Sequence, residues 1–127
     1  MHHTESNLIE INNKIKSKIN SLSLDQYNPK VIAVSKTFKE QDILPLLDYG
    51  HLDFGENKVQ EALLKWPNLK EKHKNVKLHM LGKLQTNKAK FAVEIFDYIH
   101  SLDNLKLANK LANEIHKKNR KVKMFIQ

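Results

Sequence analysis

The spacing of apolar residues changes along the chain, and each spacing predicts a different element. Near the N-terminus the apolar positions recur at intervals of three and four, which predicts an amphipathic helix over about residues 5–22. Thr4 or Ser6 is the expected cap of this helix. The apolar positions that form its stripe are Leu8, Ile11, Ile15, Ile19 and Leu22.

From residue 31 onward, short apolar runs alternate with longer helical patterns. The short runs predict five strands, at residues 31–35, 51–54, 76–81, 97–101 and 121–127. The segments between them predict four helices, at residues 38–49, 57–66, 86–96 and 103–118, the last with Asp103 as its N-cap. Such alternation is typical of βαβ units, so the sequence predicts an α/β fold with a parallel sheet.

Two architectures agree with this order of elements. One is an open, flavodoxin-like sheet, and the other is part of a (β/α)8 barrel. A complete barrel needs roughly 200 residues or more, whereas the chain has 127. The chain also stops on an apolar strand without a helix to cover it. We therefore expect one domain, 1–127, in which residues 31–127 form a partial structure, truncated relative to a whole barrel.

The net charge and the amino-acid composition limit the classes of function that the chain can have. The formal net charge is +8, but Arg120 is the only arginine among the 22 basic residues. Because arginine is the usual reader of bases and phosphates, the charge favours no nucleic-acid partner, although a basic nucleic-acid-binding module stays open as an alternative. Cysteine is absent, which excludes disulfides and thiolate chemistry. No segment is predicted to be a signal peptide or a membrane span, so we expect a cytoplasmic protein.

Polar residues follow each predicted strand. Ligands of parallel α/β folds bind at the carboxyl ends of the strands, where these side chains converge. This placement favours a small-molecule site. The residues at the four strand ends are Ser35, Lys36, Thr37, Gly55, Glu56, Asn57, His79, Gly82, Gln85, Asn87, His100, Ser101 and Asp103.

Lys36 is the most informative of these residues, and its position allows two interpretations. It could be one more surface lysine at the end of a strand. It could also be a nucleophile, since a neutral amine reacts with an aldehyde to form a Schiff base. Three glycines are too few for a glycine-rich phosphate loop, and no spacing of histidines indicates zinc.

Four motifs in order carry a resemblance to a known family. They are "VIAVSKT", "GHLDFGENKVQE", "HMLGKLQTNK" and "IHSLDNLKLA". Together they resemble the pyridoxal 5′-phosphate (PLP) homeostasis proteins, the YggS/PROSC family. The resemblance covers about residues 31–127. It implies a partial (β/α)8 barrel of the kind found in the N-terminal domain of alanine racemase.

The resemblance also implies a cofactor and a set of site residues. Lys36 would hold PLP through a Schiff base, and further residues would lie near the cofactor, namely Val34, Asn57, His79, Gly82, Gln85 and Asn87. Members of the family are not known as enzymes and are thought to carry or buffer PLP. The alternative within this resemblance is a fragment of a PLP-dependent amino-acid racemase.

Length is the main departure from the family. The resemblance implies that the cofactor phosphate is gripped by late strands and loops, which this chain does not contain. PLP binding is therefore expected to be impaired, or to be restored by self-association or by pairing with a separate C-terminal half. No membrane partner is expected.

Overall fold

A computed structural model describes residues 2–127 and shows five strands and five α-helices that alternate after the first helix. The strands are β1 (Ala33–Val34), β2 (Asp53–Glu56), β3 (Lys77–Met80), β4 (Tyr98–Leu102) and β5 (Lys123–Ile126). The helices are α1 (His3–Ser21), α2 (Glu40–Tyr49), α3 (Val59–Lys72), α4 (Ala89–Ile95) and α5 (Leu105–Lys118), and a short 3-10 turn, Thr86–Lys88, precedes α4.

The sheet is parallel throughout, and its strands lie side by side in chain order, β1-β2-β3-β4-β5. A flavodoxin-like sheet has the order 2-1-3-4-5 instead. Sequential order is the arrangement in which the strands of a (β/α)8 barrel follow one another. Of the two architectures that the sequence left open, the structure therefore supports the partial barrel.

One face of the sheet packs against the helices and forms the core. Alternate strand residues point to this face, among them Phe54, Leu78 and Ile99, which are almost fully buried. Trp66 of α3 packs against Phe54 with ring centroids 5.2 Å apart. Because helices and sheet bury a common apolar layer, the carboxyl ends of the strands are held on a rigid support.

The opposite face, here called the open face, carries a row of paired strand residues, Val34, Gly55, His79 and Tyr98. Phe125 of β5 extends the row by stacking on Tyr98, with ring centroids 6.4 Å apart. Val34 and Phe125 are 47% and 51% exposed. This is the face that would line the interior of a closed barrel.

Several element boundaries differ from the sequence-based predictions. β1 is shorter than predicted, and β2 begins at Asp53 instead of His51. The predicted end of α3 at Trp66 was wrong, because the helix continues through Pro67 to Lys72. Proline removes one hydrogen bond from a helix interior, but the continued turn buries Leu69 in the core, and that burial offsets the loss.

The helix caps also differ from the predictions. Asn104, not Asp103, caps α5, and its side chain accepts a hydrogen bond from the Leu107 N–H at 2.8 Å. The ring of His2 accepts from the Thr4 N–H at 3.2 Å and caps α1, in place of Thr4 or Ser6. In each case the helix begins within two residues of the predicted start, so the change of cap moves no part of the sheet.

Candidate functional site

Lys36 lies in a turn directly after β1, at the carboxyl edge of the sheet, and its side chain is exposed. Ser35, before it, is buried. Thr37, after it, has a φ of +67°. A β-branched residue is a rare occupant of this left-handed region, where the backbone strain costs about 1–3 kcal/mol. The turn that presents Lys36 therefore needs support from its surroundings.

That support comes from Lys65 of α3, which lies beneath the turn. Its Nζ atom donates hydrogen bonds to the main-chain oxygens of Ser35 at 2.8 Å and Phe38 at 2.9 Å, which flank the turn. The same ammonium forms ion pairs with Glu56 at 2.8 Å and Glu61 at 2.9 Å. The Lys65 side chain is only 11% exposed, so these contacts are shielded from solvent.

Two carboxylates complete this network. Glu61 accepts a hydrogen bond from the Thr37 N–H at 2.5 Å. Glu56, fully buried, accepts from the Ser35 hydroxyl at 2.5 Å and from the Trp66 indole N–H at 3.0 Å. Ser35, Thr37 and Phe38, the residues of the turn on either side of Lys36, are thus bonded to α3 or to the end of β2.

The pKa of Glu61 depends on these contacts and on burial. Burial alone raises the pKa of a carboxyl, but the hydrogen bonds from Lys65 and from the Thr37 N–H, with the positive charge of Lys65, outweigh it. The pKa of Glu61 is therefore held below its ordinary value, and the group is ionised at neutral pH.

A second part of the edge brings Asn57 and Gly82 together. A Cβ atom on Gly82 would lie 2.3 Å from the main-chain oxygen of Asn57, so only glycine allows the loops after β2 and β3 to approach this closely. An open cleft of about 550 Å³ lies beside them, and its polar lining residues are Asn57, Lys58, Gln60, Lys83, Gln85 and Lys88. Lys36, His79 and Asn87 are not among its lining residues.

His79 lies inside β3 and not after it, on the open face. Its Nε2 atom is 3.0 Å from Asp53 Oδ1, its Nδ1 atom is 2.8 Å from His100 Nε2, and its ring stacks on Tyr98 with centroids 4.4 Å apart. Burial, with the nearby charge of His79, lowers the pKa of His100, so a neutral His100 is favoured. Asp53 and Tyr98 were not predicted to belong to the site.

Val34 lies on the open face beside Lys36, at the edge of a small apolar cavity of about 170 Å³ next to α2. The structure therefore separates the seven predicted site residues into three groups. Val34 and Lys36 lie at the end of β1, and His79 lies within β3. The remaining residues lie between β2 or β3 and the helix that follows it, namely Asn57, Gly82, Gln85 and Asn87.

Sequence reasoning missed Lys65 and Glu61 because both lie on a helix, away from the strand ends. A signal was present in the sequence. Lys65 falls within the apolar stripe formed by Ala62, Trp66 and Leu69, and it lies four residues after Glu61. A lysine within a buried stripe requires a buried acceptor, and the nearest strand end supplies it.

The fold and the edge together define a class, the parallel (β/α) barrel proteins with a lysine at the end of the first strand. No protein-family model matches the chain. The pyridoxal phosphate homeostasis protein of Pasteurella multocida is 36% identical over 107 residues, which are 84% of this chain and 46% of the relative. The protein of the same name from Synechocystis sp. is 43% identical over 69% of this chain and 41% of its own length.

Comparison with solved structures gives the same result as comparison with these relatives. The structure of PipY from Synechococcus elongatus with PLP bound matches with a TM-score of 0.70 and 40% identity, over 81% of this chain and 50% of PipY. The chain is therefore homologous to the pyridoxal phosphate homeostasis proteins, and it spans about half the length of the curated relatives it matches. The resemblance carried by the four motifs and the predicted fold class are both confirmed.

Proposed function

We propose that this chain contributes a PLP-binding edge to a protein of intracellular vitamin B6 homeostasis, with Lys36 as the covalent attachment point. The observation that carries the proposal is the position of Lys36, an exposed amine on a supported turn at the carboxyl end of β1. A cytoplasmic location belongs to the same proposal. The PLP complex of PipY, a homologue of this chain, supports PLP as the ligand.

The residues of the edge fit an aldehyde cofactor. The deprotonated Lys36 amine would add to the aldehyde carbon of PLP, forming a C=N bond and releasing one water. Asn57 and Gln85 line the neighbouring cleft and supply hydrogen-bonding groups. Arg120 is not free to bind phosphate, because it contacts the main-chain oxygens of Glu94 and Phe96 and the carboxylate of Asp97.

A titration with PLP tests the attachment point. We expect the wild-type protein to develop the visible absorbance of an imine, which borohydride abolishes. Lys36→Arg keeps the positive charge but cannot form an imine at this position. The absorbance of this variant is expected to fall to the background level that the other lysines of the chain give with PLP. Lys30→Arg, exposed just before β1, is the matched control. Equal absorbance in both variants would contradict the role of Lys36.

We propose a non-catalytic role. A racemase needs a second acid–base group on the opposite face of the cofactor. The open face of the sheet carries two histidines, His79 and His100. The histidines of this face are paired with each other and with Asp53. Incubation with PLP and an L-amino acid is expected to give no D-enantiomer. Turnover that Lys36→Arg abolishes would overturn this part of the proposal.

The proposal includes a partner segment that completes the barrel. Ile126, in the edge strand β5, is 88% exposed, and Phe125 on the open face is half-exposed. Since each copy carries a net charge of +8, repulsion disfavours a second copy, and a separate segment with the remaining strands is the better occupant. Light scattering is expected to show a monomer at physiological salt, whereas a stable dimer would indicate self-association instead.

A further inference from the structure

We propose that Lys65 is a positioning residue for Lys36, acting with Glu61 to hold the turn in the conformation that exposes the reactive amine. This inference rests on the proposed function, because it concerns the same covalent site. Lys65 does not itself reach the cofactor in this proposal. It acts through the backbone of the turn that carries Lys36.

The geometry of the turn requires such a residue. Its conformation depends on Thr37 at a φ of +67°, which an unsupported threonine would leave for an extended or right-handed conformation. Within the turn, the Phe38 N–H donates to the Ser35 oxygen at 3.2 Å. A single bond of this kind is weak support for a strained residue, so the conformation depends on contacts from outside the turn.

Lys65 provides these contacts at both ends of the turn at once. An ammonium group has three N–H donors, and Lys65 directs them to the main-chain oxygens of Ser35 and Phe38 and to the carboxylate of Glu61. Glu61 in turn accepts from the Thr37 N–H. Thus the ion pair bonds to residues before, within and after the strained position, and Lys36 lies between them.

The charge balance explains why a lysine occupies this buried position. A buried ammonium without a partner is strongly disfavoured, whereas one with charged and neutral acceptors is satisfied. Glu56 and Glu61 supply the negative charge, and the two carbonyls occupy the remaining donors. An ion pair whose sole role was to stabilise α3 would need no contact with the turn.

Lys70 offers a matched control on the same helix. It is also partly buried, and it forms an ion pair with Asp97 at 2.7 Å. It also donates to the Ile95 oxygen, and none of these contacts involves the Lys36 turn. Lys65→Met and Lys70→Met therefore remove the same group from comparable surroundings, but only the first removes the support of the turn.

The test is the rate at which PLP labels Lys36, measured by borohydride trapping and peptide mass spectrometry over a range of pH. Relative to Lys70→Met, we expect Lys65→Met to lower the labelling rate of Lys36 about ten-fold, the effect of losing one or two charge-assisted hydrogen bonds. Equal labelling rates in Lys65→Met and Lys70→Met would overturn the inference.

Glu61 provides a second pair of variants in case Lys65→Met does not fold. Glu61 is partly exposed, so its substitution is better tolerated. Glu61→Leu removes the acceptor of the Thr37 N–H and is expected to lower the labelling rate several-fold, whereas Glu61→Gln retains an acceptor oxygen and should keep most of it. Identical rates in the two variants would contradict the inference.

The two proposals fail in different ways. If the wild-type protein shows no selective labelling of Lys36, the proposed function fails and the positioning role fails with it. If the wild-type protein labels Lys36 selectively but Lys65→Met and Glu61→Leu match their controls, only the positioning role is wrong.

Discussion

At the scale of single residues, position relative to a strand end carried more information than residue type. Lys36 is one of 21 lysines. Its place after an apolar strand allowed a functional interpretation, and the resemblance carried by the four motifs then implied its role. Lys65 could not be predicted in the same way, because its importance depends on contacts between α3 and a turn 30 residues earlier in the chain. Sequence patterns report burial along one element and do not report which distant backbone groups meet there.

Gly82 gives a prediction that compares two close approaches. Its missing Cβ faces the main chain of Asn57, which cannot move without displacing the loop after β2. Gly55 has an equally close neighbour, but that neighbour is the flexible side chain of Leu81. Gly82→Ala is therefore expected to lower the free energy of unfolding by about 2 kcal/mol or more, and Gly55→Ala by clearly less. Urea denaturation measures both values, and a larger loss for Gly55→Ala would contradict the close packing of the two loops.

The lowered pKa of Glu61 predicts that the free energy of unfolding decreases in acid. Its pKa is lower in the folded protein than in the unfolded chain, because Lys65 and the Thr37 N–H outweigh the effect of burial. The unfolded chain thus binds the proton more readily, so the stabilisation is complete above the ordinary pKa of about 4.3. It is lost as the pH falls through the lowered value.

The test compares urea midpoints of the wild-type protein and Glu61→Gln between neutral pH and pH about 3. Glutamine cannot titrate, so the variant is expected to lose less stability than the wild type over the acidic part of this range. Parallel curves for the two proteins would show that Glu61 ionises alike in the folded and unfolded states.

At the scale of elements, the alternation of strands and helices was predictable, but the ends of the strands were not. Apolar runs identified all five strands. The strands β2, β3 and β4 bury residues fully against the helices, whereas β1 and β5 contribute the partly buried Ala33 and Met124. The boundaries of β1 and β2 were wrong because they depend on pairing. β1 pairs in register with β2 over Ala33 and Val34, and β2 extends to Glu56 because β3 pairs that far.

Asp97 connects α3 to the sheet, because its carboxylate bonds both to Lys70 of α3 and to the main chain of β3. Its carboxylate accepts from Lys70 at 2.7 Å, from the Leu78 N–H at 2.8 Å and from Arg120 at 3.4 Å. Burial lowers the pKa of Lys70, and Asp97 opposes that effect. Asp97→Ala leaves three donors without this acceptor and is expected to lower the free energy of unfolding by about 2 kcal/mol.

The control for Asp97 is an ion pair of similar chemistry in solvent. Glu10 and Lys14 form an exposed i,i+4 pair on α1, 3.2 Å apart. Glu10→Ala is expected to change the free energy of unfolding by less than about 0.5 kcal/mol, as is usual for exposed pairs. Thermal and urea denaturation compare the two variants, and equal losses would show that Asp97 adds nothing beyond a surface contact.

At the scale of the whole molecule, the sequence left the order of the strands open, and the structure supplied it. Periodicity identifies strands but does not say which strands are neighbours, since that is decided by packing between distant segments. The sequential parallel order places the loops after β1, β2 and β3 on one continuous edge. Lys36, Asn57 and Gly82 share that edge. Among the described residues, none of the helices combines the length and the apolar character that a membrane span requires.

The central claim is that the molecule makes one of its 21 lysines the preferred site for PLP. The most direct test is to reduce the PLP adduct with borohydride and to measure the modified fraction of every lysine by peptide mass spectrometry. We expect most of the label on Lys36, far above the roughly one-twentieth share that equally reactive amines would give. A label spread over the exposed lysines, unchanged in Lys36→Arg, would contradict the claim.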